Sequence, residues 1–173
     1  MRNFALLAFC AIGALLLSTT PAAAQPTALV LCTGSATETY APPLANTTQN
    51  TVISFSATYE CSGGAPSLTA TIEQTTPPVP FSCNELVEVV EGTLTIDWQD
   101  ETSHADVTVT PLTVGGSVRT LLATGTVASG ALQGQSVTLL VPFVGVNLLQ
   151  CLLGTGTIES MSTLQGTSTL AFG

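Results

Sequence analysis

The chain has 173 residues, of which 45% are apolar and 8% are charged, with two Lys+Arg against eleven Asp+Glu and a formal net charge of −9. This negative charge repels the phosphate backbone of DNA and RNA, which excludes nucleic acid as a partner. The apolar, weakly charged composition excludes a disordered chain and fits one folded domain.

Residues 1–24 have the pattern of an export signal. Arg2 supplies the positive charge, residues 4–17 are apolar, and Ala22 and Ala24 place small residues at the cleavage site. The apolar run is too short to cross a bilayer unaided. We therefore expect cleavage after Ala24, a secreted extracellular protein with no transmembrane span, and a single domain over residues 25–173.

Alternating apolar and polar residues predict about eight β-strands. The pattern is clearest where Ile53, Phe55 and Tyr59 fall on one face of a strand. The predicted strands are residues 35–40, 52–61, 68–74, 93–98, 103–109, 118–127, 137–143 and 167–172. Gly- and Pro-rich turns separate them, and amphipathic helices of three turns are missing from the pattern. We therefore predict an all-β, antiparallel Ig-like β-sandwich.

The interior of such a sandwich is filled by its alternating apolar side chains. We therefore expect function to lie on an exposed surface rather than in a cavity. The apolar residues 25–31 are available for edge pairing with a partner, and their deletion is expected to spare the fold.

Four Cys remain after removal of the signal, an even number that indicates two disulfides rather than metal ligands. Three connectivities are formally open. Because antiparallel strands run in opposite directions, a register that sets Tyr40 opposite Ile53 also sets Cys32 opposite Cys61. This register leaves Cys83 to pair with Cys151.

The sequence around His104 contains the strongest candidate for catalytic chemistry. Ser103 and His104 lie near several carboxylates, but adjacent strand residues face opposite ways, and the chain has no GxSxG motif. We interpret the segment as a hairpin in which Asp97 lies opposite His104 and Thr95 opposite Asp106. No catalytic residue is assigned.

A calcium site is the second reading of the same hairpin. Hard cations bind several carboxylates at a loop, and the candidates are Asp97, Asp100, Glu101 and Asp106. Their spacing is not that of an EF-hand loop, so we assign neither a metal nor a cofactor.

The most apolar part of the mature chain is residues 139–153. A sandwich strand buries alternate residues, so part of this stretch is expected to form an exposed binding patch. The candidates are Leu140, Val144, Leu148 and Leu152. Burial of the whole stretch under a loop is the alternative.

Several segments together resemble a set of small exported proteins of actinomycetes. They are CTGSATETYAP at 32–42, YEC at 59–61, TIDW at 95–98, GTVASGALQG at 125–134 and LLQCL at 148–152. The resemblance covers nearly the whole mature chain and implies export and an Ig-like fold, but neither an activity nor a functional residue. It also implies a Gly in the turn after Trp98, where this chain has Gln99, Asp100 and Glu101.

Two functions are consistent with the sequence. The first is an exported, non-catalytic module that binds a protein or cell-surface partner, with self-association as one form of that binding. The second is a metal-dependent or hydrolytic enzyme that uses the His104 hairpin. A metal-bound site would raise the melting temperature on calcium titration.

Overall fold

The computed structural model describes residues 29–113, 118–145 and 147–173. The predicted signal and residues 25–28 lie outside the described residues. The strands are β1 (Val30–Leu44), β2 (Gln49–Ser62), β3 (Thr69–Thr75), β4 (Val79–Phe81), β5 (Val90–Asp97), β6 (Thr102–Thr113), β7 (Val118–Gly130), β8 (Ser136–Val144), β9 (Ile158–Thr163) and β10 (Ser168–Phe172). A 3₁₀ turn covers Glu85–Val87, and α1 covers Leu148–Leu152. No helix within the described ranges is long and apolar enough to cross a membrane.

The strands form a closed, antiparallel barrel. The chain winds through β1, β2, β3, β5, β6, β7 and β8, each paired with the strand before it. Strands β9 and β10 follow one another in the eighth position, where both pair with β1 on one side and with β8 on the other. The sheet therefore closes on itself with eight strand positions.

The prediction of an all-β, antiparallel fold is confirmed, but a closed barrel replaces the two separate sheets of an Ig-like β-sandwich. Both architectures bury alternate residues of every strand, so the same sequence pattern predicts either one. Closure depends on β9, whose buried residues Ile158 and Met161 are three apart. That spacing breaks the period-2 pattern, which is why this strand was missed.

All eight predicted strands are present, and β1 begins earlier than expected. Val30 is fully buried opposite Phe172, and Leu31 lies opposite Ser62. Val30 and Leu31 therefore belong to the barrel wall, rather than to a segment free for edge pairing with a partner.

The disulfides are Cys32–Cys61 and Cys83–Cys151, as the sequence predicts. Strands β1 and β2 have the predicted register, with Tyr40 opposite Ile53 and Cys32 opposite Cys61.

Aromatic side chains close one end of the barrel. The ring centroids of Trp98 and Phe172 lie 5.5 Å apart, and both side chains are buried. The Trp98 indole donates to Ser103 Oγ at 2.9 Å, and the Tyr59 hydroxyl lies 2.8 Å from Ser168 Oγ. These hydrogen bonds satisfy the polar ends of the aromatic residues inside the core.

The segment formed by residues 82–89 closes the other end. The disulfide of Cys83 with Cys151 ties this segment to α1. Leu86 in the segment is fully buried, and its carbonyl accepts a 3.2 Å hydrogen bond from Arg119 Nε on β7. With both ends covered, the middle of the barrel can be reached through its side.

Candidate functional site

A cavity of about 490 Å³ occupies the middle of the barrel. Inward-facing apolar side chains of five strands form most of its lining, namely Ile53, Phe55, Leu94, Val107, Val109, Leu121, Ala123, Leu139 and Val141. The expectation of a filled interior is therefore wrong. A closed eight-stranded barrel encloses more space than two packed sheets, and the small residues Gly92 and Ala123 leave part of that space empty.

The barrel wall is open between β3 and β5. In the described structure the ladder between these strands is a single pair, Thr71 with Asp97. Further along, the exposed residues Thr75 and Pro77 face Gly92 and Thr93 across the cavity mouth. We call this mouth the lateral opening. It explains why inward-facing residues such as Phe55 remain partly exposed.

A side-chain hydrogen bond crosses the lateral opening. Gln74 Nε2 donates to the Thr93 carbonyl at 2.7 Å, on the side of the opening where the ladder is absent from the described residues. This bond joins β3 to β5 through a side chain, in place of the backbone hydrogen bonds of a continuous ladder.

A buried ion pair lies beside the cavity. Glu38 is 7% exposed and lines the cavity, and its Oε2 is 3.3 Å from Nη1 of Arg119, which is 5% exposed. The Tyr40 hydroxyl donates to Glu38 Oε1 at 2.8 Å. Burial raises the pKa of Tyr40 far above its ordinary value, and the negative charge of Glu38 adds to this rise. Tyr40 therefore remains a hydrogen-bond donor to Glu38.

Neither Glu38 nor Arg119 was among the site residues predicted from the sequence. Ala36, Glu38 and Tyr40 have the same alternating spacing in β1, and all three are buried. A charged residue at an inward position of an alternating strand is the signal that could have identified this site.

The His104 hairpin has a different register from the predicted one. Thr95, not Asp97, lies opposite His104, and Thr93 lies opposite Asp106. The difference arises because the turn starts at Trp98, whose N–H donates to the Glu101 carbonyl. His104 is exposed with Nδ1 3.3 Å from Thr95 Oγ1.

Ser103 lies on the opposite, buried face of the same strand. It accepts the Trp98 hydrogen bond and donates to the Ala131 carbonyl. The structure therefore does not bring Ser103 and His104 together as a nucleophile and base.

The calcium candidates do not converge either. Within the described ranges, no group of three or more His, Cys, Asp or Glu residues is placed to hold a metal ion. Asp97 accepts a 3.0 Å hydrogen bond from Thr102, and Asp106 accepts one of 3.4 Å from Thr93. Asp100 and Glu101 are exposed in the turn.

The candidates for the apolar patch differ in their exposure. Leu148 is buried, whereas Leu140, Val144 and Leu152 are half-buried. From Leu148 onward the chain is in α1, so the burial of these residues follows a helical rather than an alternating period. As a result, Leu149 and Leu153 are the exposed side chains, at 57% and 66%.

Comparison with protein-family models, with curated proteins and with solved structures finds no match for the chain. Function is therefore inferred from the cavity and its lining.

Proposed function

We propose that the protein is an exported, non-catalytic binding protein that holds a small apolar molecule inside its barrel. The cavity carries this proposal. Its volume of about 490 Å³ lies within the range of ligand sites in proteins, roughly 300 to 1,000 Å³. Its lining is apolar with a few polar groups, which is the usual composition of such sites.

The energetics favour an apolar occupant. An unfilled apolar cavity leaves the surrounding side chains without packing partners, and a ligand that fills it restores those contacts. Phe55, Val109 and Leu121 are partly exposed, so a ligand would also remove their apolar surface from water.

Export is part of the proposal. The disulfides Cys32–Cys61 and Cys83–Cys151 are typical of proteins that fold in an oxidising compartment. An extracellular location would also bring the barrel into contact with small apolar molecules outside the cell.

Binding of a protein or cell-surface partner remains a second candidate. The observation that favours it is the exposure of Leu149 and Leu153, which are four residues apart at α1 and so lie on one face. Replacing both with Ser should then abolish association with that partner, or self-association, and leave the cavity unchanged.

Titration with the fluorescent apolar probe N-phenyl-1-naphthylamine tests the cavity proposal. We expect saturable fluorescence enhancement with the native protein and its loss in Ala123→Phe, because this inward side chain fills the cavity. Thr124→Phe is the matched control, since Thr124 is exposed on the outer face of β7. His104→Ala should also bind the probe normally.

Thermal unfolding of both Phe variants shows whether the barrel remains folded. Absence of probe binding to the native protein would refute the proposal. Equal binding by folded Ala123→Phe and Thr124→Phe would also refute it, because the probe would then lie outside the cavity.

A further inference from the structure

We infer that the ligand is a neutral amphipathic molecule, with a hydrocarbon body and a hydroxyl or similar donor group that binds the Glu38 carboxylate. This inference rests on the proposed function, because it specifies the ligand of the same cavity.

Polar groups are distributed unevenly around the cavity. Glu38 is the one charged residue of the described lining, and only 7% of it is exposed. The other polar lining residues, Gln74, Thr75, Thr76 and Thr93, are neutral and border the lateral opening. The cavity lining therefore offers a ligand a mainly apolar surface and one charged group, the Glu38 carboxylate.

The Glu38 carboxylate can accept a further hydrogen bond. An ionised carboxylate has about four acceptor positions on its two oxygens. The described contacts use one position on Oε1, for Tyr40, and one on Oε2, for Arg119. A donor group on the ligand can therefore bind Glu38 without displacing either neighbour.

The charge balance selects a neutral ligand. Arg119 already compensates Glu38 at 3.3 Å, so the pair has no net charge. A ligand carboxylate would place a second negative charge beside Glu38 in an apolar environment, which is unfavourable. A ligand ammonium would compete with Arg119 for the same oxygens and leave one cation uncompensated.

Two requirements on the ligand, a hydrogen-bond donor and the absence of charge, can be tested separately with three ligands of equal chain length. The experiment is probe displacement at pH 7. 1-Decanol is neutral and donates, methyl decanoate is neutral and does not donate, and decanoate is negatively charged. We expect decanol to displace N-phenyl-1-naphthylamine at about tenfold lower concentration than either other ligand, because a hydrogen bond to a charged group contributes this much.

Glu38→Gln should reverse the preference. The variant leaves Arg119 without a counterion, so decanoate should now displace the probe better than decanol. Glu60→Gln is the matched control, since Glu60 is exposed on the outer face of β2 and the charge change is the same. If Glu38→Gln does not fold, the comparison on the native protein still decides.

The outcomes separate the two proposals. If the probe binds but all three ligands displace it equally, or none displaces it, the inference about Glu38 is overturned. The proposal of a binding cavity would still stand. Failure of the probe itself to bind would refute the cavity function.

Discussion

Gln74 and Thr93 are joined by a 2.7 Å hydrogen bond, from the side-chain amide to the backbone carbonyl, across the lateral opening of the barrel. The bond holds β3 against β5 where their ladder has ended. We predict that Gln74→Ala speeds release of a bound apolar probe several-fold, measured by stopped-flow displacement. The cost in unfolding free energy should be about 1 kcal/mol or less, because the bond is exposed.

Gln133→Ala is the control for this prediction. The Gln133 amide also donates to a backbone carbonyl, but it does so from the turn between β7 and β8 to Ala128 of β7. An equal effect of both substitutions on probe release would contradict a role for Gln74 at the opening.

Gly92 offers a way to narrow the same opening. It lines the cavity mouth, and a Cβ built on it meets no atom within 4 Å. Gly92→Val should therefore leave the fold intact, with stability unchanged or slightly increased, since Val suits a strand better than Gly. We predict slower association and slower dissociation of the probe by stopped-flow fluorescence, with a smaller change in affinity. Unchanged rates would show that ligands enter elsewhere.

Gln99 adopts a left-handed backbone conformation, with φ of 76°, in the turn after Trp98. Its side chain offsets this strain by donating to Thr69 at 2.8 Å and accepting from Ser67 at 3.2 Å. Gln99→Gly and Gln99→Ala lose the same hydrogen bonds, but Gly adopts this φ freely. We predict that the Gly variant is about 1 kcal/mol more stable than the Ala variant in urea unfolding.

The same pair of substitutions at Gln133 should show no advantage for Gly, because Gln133 is not among the described non-Gly residues with positive φ.

The sequence predicted eight of the ten described strands, all except β4 and β9, because apolar and polar residues alternate along them. It also predicted the disulfide register, since Tyr40 and Ile53 fix the position of Cys32 against Cys61. Closure was not predictable in this way. It depends on β9, where Ile158 and Met161 are buried with exposed residues between them, and on β10 sharing the same position in the wall.

The cavity was missed for a related reason. Periodicity shows that Val109 and Leu121 face inward, but not whether their side chains meet in the middle. That depends on the number of strands and on small residues such as Ala123. Glu38 was visible as a charged residue on the inward face of β1, but its partner Arg119 lies 81 residues away in sequence.

Alkaline pH should destabilise the protein through its two tyrosines. Burial raises the pKa of the Tyr59 hydroxyl to about 12, whereas an unfolded tyrosine has a pKa of about 10. The unfolded state therefore loses its proton first as pH rises. For Tyr59 the stabilising effect is complete below pH 10 and is lost between pH 10 and pH 12, by about 1 kcal/mol per pH unit.

Urea unfolding at pH 8, 10 and 11 measures this slope. Tyr59→Phe should cost about 1 kcal/mol at pH 8, through loss of the Ser168 contact, but should halve the slope above pH 10. The remaining slope belongs to Tyr40, whose pKa burial also raises. Lysine does not complicate the measurement, because the chain contains none. If the unfolding free energy of Tyr59→Phe fell with pH as steeply as that of the native protein, the burial of Tyr59 would be contradicted.

The start of β1 should be essential for closure of the barrel. Val30 is fully buried and pairs with Phe172 of β10. Strand β10 pairs in turn with β8. A chain that begins at Cys32 loses this pair, whereas one that begins at Leu29 retains it. Because burial of a valine contributes about 2 kcal/mol and the ladder adds to it, we predict that the shorter chain is about 2 to 4 kcal/mol less stable in urea.

A pair of point variants in the longer chain isolates the side-chain contribution. Val30→Ala should lose about 2 kcal/mol, since it leaves a space beside Phe172. Leu31→Ala should lose less than half as much, because Leu31 is 45% exposed on the outer face of the same strand. Equal stability of the chains that begin at Leu29 and Cys32 would mean that β10 closes against β8 without Val30, and that the cavity wall does not depend on this end of β1.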